Sequence, residues 1–147
     1  MVNDVTLATL VTGGQLLSAV AWLMVTYHYL PSLGRTFRQA ANQPGDMLAW
    51  DAAGCWAALI GITQTLYTVR WILLGRDDIA SMSRVSLIVW IPLYFLNAAC
   101  AVGVLYTWRD SRTDAVSLAA SDRRAVNAVI AWLTLAVVCI GAASWNL

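Results

Sequence analysis

Four residues set in apolar surroundings have side chains that could carry proton or ion chemistry: His28, Asp51, Gln64 and Asn97. Ionisable and amide groups are costly in hydrocarbon, so each calls for a physical account. His28 stands near the end of one apolar stretch and Asp51 about one turn into the next. In an antiparallel hairpin the imidazole and the carboxyl group fall at similar depth, where they could share a proton and gate ions. The plainer expectation is that both reach interfacial water, His28 between Tyr27 and Tyr29 and Asp51 beside Trp50. Gln64 and Asn97 fall near mid-span. Amides there join helices through hydrogen bonds worth ~1 kcal/mol, or they line a pore.

Enzyme chemistry finds no footing. One histidine cannot supply bis-histidine haem ligation, and no carboxylate–histidine cluster suits a catalytic metal. Gly13-Gly14-Gln15 lacks the lysine and the spacing of a phosphate loop, and Asp77-Asp78 reads as a solvated turn. No serine or cysteine nucleophile has a visible base. Cys55, Cys100 and Cys139 lie in three different apolar stretches without a CxxC pair, which argues against a quinone-linked disulfide exchanger or a zinc site. They are expected to act as small buried hydrophobes. The expectation is therefore no enzyme, no cofactor and no metal. A net charge of +1 without a basic stripe gives no reason to expect nucleic acid as a partner.

The elements that must position these residues are four apolar stretches, about 5–30, 47–74, 85–108 and 125–147. At 1.5 Å rise per residue, ~20 apolar residues cross the ~30 Å hydrocarbon core of a bilayer. All four are long enough. With 60% hydrophobic and 12% charged residues the chain is too apolar for a soluble domain of 147 residues. The fold class expected is an all-α integral membrane protein, four transmembrane helices in an up-down bundle with short loops, forming a single transmembrane domain over 1–147. Met-Val-Asn-Asp at the start lacks a basic n-region, so no removable signal peptide is expected. Every basic residue is Arg and every acidic residue Asp, a bias that fits a GC-rich coding sequence and points to a bacterial inner membrane or a phage-associated membrane.

Arginine placement sets the orientation. Arg35, Arg38, Arg109, Arg112, Arg123 and Arg124 fall in the first and third connections, against Arg76 and Arg84 in the second, with Arg70 nearby. This predicts those two connections in the cytoplasm and both termini outside. Trp50, Trp71, Trp108 and Trp145, with Tyr27, Tyr29 and Tyr106, suit the headgroup level. Trp56, Trp90 and Trp132 lie further in, as packing or lipid-facing residues. After Pro31, Leu33, Phe37 and Ala41 share a helical face, as for a short segment lying in the interface. The third helix is expected to continue past the membrane or be followed by a short helix, capped by Asp114 or Ser121. Pro92 is expected to kink it.

Small residues repeat along three helices. The second carries Asp51, Gly54, Ala58, Gly61, Thr65 and Thr68 at spacings of 3 and 4, which keeps one face against a partner helix. The fourth has a weaker copy in Asn127, Ala131, Thr134, Val138 and Gly141, and the first has Gly14, Ser18, Ala21 and Val25. Such faces seal a bundle or receive another subunit. The function expected is a structural, accessory or assembly subunit that self-associates or joins a larger membrane complex, its partners being the lipid bilayer and other membrane subunits or copies of itself. The alternative is an oligomeric pore former of phage holin type or a small ion channel.

Overall fold

The computed structural model describes residues 4–39, 45–74, 83–113 and 118–145. All of these except Ser83 are helical, in four elements: α1 (Asp4–Gln39), α2 (Gly45–Leu74), α3 (Arg84–Thr113) and α4 (Leu118–Trp145). Each contains a stretch long and apolar enough to cross a membrane, respectively Asp4–Pro31, Ala49–Arg70, Arg84–Arg109 and Arg123–Ala142.

The four apolar stretches become four helices, but three boundaries move. α1 runs through Pro31 for 36 residues, about 54 Å at the helical rise. The expected interfacial segment is therefore a continuation of α1 as far as Gln39, and its Leu33 still packs against the core. The Phe37 side chain, Ala41 and Asp114 lie outside what is described. α3 continues to Thr113, and α4 begins at Leu118, so Ser121 lies within that helix instead of capping it. Pro31 and Pro92 both sit inside continuous helices, each depriving the carbonyl four residues earlier of its amide partner.

Cross-helix pairs fix the directions. Trp22 and Thr26 meet Gly61 and Ala58, a descending register that makes α1 and α2 antiparallel. Gly14 meets Tyr94 and Phe95, and Ser18 meets Asn97, an ascending register that makes α1 and α3 parallel. Gly103 against Trp132 and Cys100 beside Cys139 make α3 and α4 antiparallel. The helices alternate in direction, but their order around the bundle is not their order in sequence. α1 packs on both α2 and α3, α4 packs mainly on α3, and α2 and α3 make no extended contact with one another.

The interior is divided. All four helices contribute to a central core that includes Trp22, Val25, Ala57, Val104, Val129 and Ala136. Towards the starts of α1 and α3 a second cluster of the described residues buries Leu7, Val11, Leu87, Trp90 and Tyr94, with Ile91 and Leu93 packed against it. Small side chains explain the close approach at the centre, since in lipid the packing of backbones over small residues replaces hydrophobic driving force. Outside, the surface is a coat of large apolar residues such as Leu17, Val20, Leu23, Trp56, Leu66 and Val102.

Candidate functional site

Between the two cores lies a layer of buried polar groups, reached by residues from α1, α2 and α3. The Trp22 indole donates to Asn97 Oδ1 at 3.1 Å, and Asn97 Nδ2 donates to Ser18 Oγ at 2.8 Å. Asn97 thus ties α3 to α1 through two bonds, to Trp22 and Ser18 one turn apart. Trp22, fully buried, is the donor that sequence reasoning passed over. Its signal was the α1 face shared with Ser18 and Val25, since residues three and four apart stack on one side.

One step from this network is a cavity of about 230 Å³ lined by α2, α3 and α4. Gln64, Trp90, Tyr94, Asn97 and Cys139 are its buried residues, and Thr63, Tyr67, Leu93 and Ile140 are more exposed. The phenols of Tyr67 and Tyr94 stand next to each other on its wall, and the Trp90 and Tyr94 rings are 5.2 Å apart at 33°. Trp90 Nε1 is buried without a hydrogen-bond partner among the described residues. So are both amide atoms of Gln15, which is 1% exposed, and the hydroxyl of Thr68. Carrying the α1–α2 register of Trp22 and Gly61 two turns on brings Gln15 level with Thr68.

Gln64 therefore faces a cavity instead of a neighbouring amide. The other two residues expected to titrate or line a pore are not joined. His28 is exposed and its ring lies 5.2 Å from that of Trp108 on α3. Asp51 is buried on α2, 8% exposed. Among the described residues the ion pair present joins neither: it is Arg84 Nε to Asp4 Oδ1 at 3.8 Å, between the starts of α3 and α1. Both of its side chains are exposed, so it adds little stability.

The small-residue face of α2 is turned inward. Gly54, Ala58, Gly61 and Thr68 are buried and Thr65 half-buried. A Cβ on Gly61 would meet Thr26 Oγ1 and come within 2.5 Å of the Trp22 carbonyl oxygen. The Thr26 hydroxyl bonds to that carbonyl at 2.9 Å and lies 3.4 Å from the Ala58 carbonyl on α2. Gly14, Ser18, Ala21 and Val25 of α1 are buried as well. On α4 the face is turned the other way. Asn127, Ala131, Thr134, Val138 and Gly141 are all exposed, and nothing approaches within 4 Å of a Cβ built on Gly141. Thr134 and Val138 border an open groove of about 530 Å³ between α4 and α2, across from Ala49, Ala52 and Trp56.

No protein family, curated protein or solved structure matches this chain. Function must be read from the molecule's own surfaces. Among the described residues no group of three or more histidine, cysteine, aspartate or glutamate side chains is placed to hold a metal. None of the three cysteines is in a disulfide; Cys100 and Cys139 are buried and Cys55 is half-buried. Of the aromatic residues expected at the headgroups, Tyr27 and Tyr106 are exposed, whereas Tyr29 is buried in the core against Trp108. The side chains of Trp71 and Trp145 lie outside those described. Trp56 is 64% exposed, Trp90 is buried and Trp132 half-buried.

Proposed function

We propose that this chain is an integral membrane protein of four spans, both termini outside, that works as an accessory or assembly subunit in a bacterial or phage-associated membrane. The observation that carries the assembly role is the contrast between α2 and α4. The small-residue faces of α1 and α2 are consumed in packing the chain on itself, while that of α4 looks outward. Outward small residues offer close backbone approach to another helix, which lipid cannot match. The groove beside them continues the same face onto α2, where Ala49 and Ala52 offer little bulk and Trp56 stands at the edge as an anchor. A transmembrane helix of a second copy or of another subunit fits that shape.

The apolar coat supports the membrane placement. A soluble monomer rarely exposes contiguous apolar patches beyond a few hundred Å², and here large apolar residues face outward on every helix. A pore through a single chain has less support. The central core is filled by Trp22, Val25, Val104 and Val129, each fully buried.

The test is the mass of the protein extracted in mild detergent, beside the variants Ala131→Leu and Gly141→Leu. A complex of defined stoichiometry that both variants disperse, with the monomer's thermal stability unchanged, is the expected result. A lone monomer under every extraction condition would remove the assembly role. A ring of identical chains with measurable conductance would move the reading to the pore former.

A further inference from the structure

We infer that the cavity between α2, α3 and α4 is a binding site for a neutral, lipid-soluble ring compound bearing carbonyl acceptors, the chemistry of a quinone headgroup. The inference goes beyond assembly and rests only on the membrane placement proposed above. Three observations define the ligand. The first is size. An engineered cavity of about 150 Å³ holds benzene, so about 230 Å³ holds one substituted ring. That is below the ~300 Å³ where drug-sized pockets begin.

The second is charge. Among the lining residues Thr63, Gln64, Tyr67, Trp90, Tyr94 and Asn97 are polar and none carries a formal charge at neutral pH. An ion placed there would lose its hydration without a counter-charge, which selects a neutral occupant. The Trp90–Tyr94 pair supplies aromatic walls, and rings stack or meet edge to face with a further ring at favourable energy.

The third is the hydrogen-bonding sense. Trp90 Nε1–H can only donate, is buried, and has no partner among the described residues. Buried donors are almost always satisfied, so an orphan beside a cavity calls for an acceptor in it. The amide of Gln64 adds donors on the opposite wall, from α2. A ring with carbonyl oxygens on two edges meets both. Access follows from the rim. Thr63 faces outward, and Leu93 and Ile140 are half-exposed within the apolar spans, so the mouth opens sideways towards hydrocarbon. An isoprenoid or alkyl tail can leave by that mouth while the ring stays inside.

The experiment uses the full chain in nanodiscs, with duroquinone and its hydrocarbon counterpart durene as probes. Both have the same tetramethyl ring, and full substitution keeps duroquinone from adding to the nearby Cys139 thiol. Duroquinone is expected to bind saturably at one per chain, above its partition into protein-free discs, and about tenfold or more tighter than durene. Trp90→Phe keeps an aromatic ring but removes the N–H, and is expected to weaken duroquinone about three- to tenfold while leaving durene unchanged. Gln64→Met, of similar volume, gives an independent reading on the opposite wall and is expected to act in the same sense. Equal binding of the two probes, or no change in duroquinone affinity with Trp90→Phe, would overturn the acceptor requirement. Absence of saturable binding by either probe would overturn the site itself. A chain that does not insert into the discs at all would instead overturn the membrane placement, before any ligand is added.

Discussion

Gly61→Ala is the smallest change that should open the bundle. Its Cβ would be aimed at two atoms of α1, Thr26 Oγ1 and the Trp22 carbonyl oxygen, the latter at 2.5 Å. Real Cβ atoms essentially never come within 3.0 Å of such atoms. The hydroxyl can rotate away only by giving up its bond to the Trp22 carbonyl at 2.9 Å, at about 1 kcal/mol. The carbonyl cannot rotate, because it belongs to the α1 backbone, so the helices must separate by several tenths of an ångström. Overpacking of this kind costs about 1–3 kcal/mol. Helix propensity returns up to about 1 kcal/mol, since alanine is the better helix former. The net expectation is about 1–3 kcal/mol of destabilisation, read by reversible unfolding in mixed micelles. Gly13→Ala is the control, because nothing lies within 4 Å of a Cβ there, and it should be neutral or slightly stabilising. Thr26→Ala in the Gly61→Ala background should recover only part of the loss, because the backbone clash persists. Gly61→Ala with the stability of Gly13→Ala, or full recovery by Thr26→Ala, would refute the close approach of α1 and α2.

Three further outcomes follow from the same geometry. Asn97→Leu strands the Trp22 donor and the Ser18 hydroxyl and should cost about 1–3 kcal/mol in the same unfolding assay, two interhelical bonds at membrane values. Trp22→Phe should add little on top of it, and full additivity would deny the shared bond. Gly103→Ala places a Cβ 2.5–2.8 Å from the Trp132 ring, but the obstacle is a half-buried side chain. Its loss should be smaller than that of Gly61→Ala and fully recovered by Trp132→Leu, with unfolding midpoints deciding the matter. A reporter that is active only outside the cytoplasm, fused after Leu147, should be active, and activity only from a cytoplasmic reporter would invert the proposed orientation.

Some of this protein was legible residue by residue. Four helices follow from apolar stretches longer than a bilayer core, because backbone polar groups in such sequence can be satisfied only along a helix or a closed barrel. The shared small-residue face of α2 was legible too, since glycine and alanine at spacings of 3 and 4 must lie on one side of a helix, although not whether that face turns inward. The pairing of His28 with Asp51 was a matter of depth alone. Depth does not fix azimuth, and the structure turns His28 to Trp108 on α3 instead.

What the sequence could not supply was the order of helices around the bundle. Short connections suggest that neighbours in sequence are neighbours in space, yet α1 packs on α3, and α2 makes no extended contact with α3. That arrangement brings Asn97 to Trp22 and Ser18, leaves Trp90 and Gln64 on a cavity, and turns the small face of α4 outward. The periodicity of a helix specifies which residues share a face. Which helix that face meets depends on packing among all four at once, where residues as distant as Gly14 and Tyr94 or Gly103 and Trp132 must fit together. The sequence determined the elements and their faces, and the tertiary structure alone decided which faces are sealed and which remain to be filled.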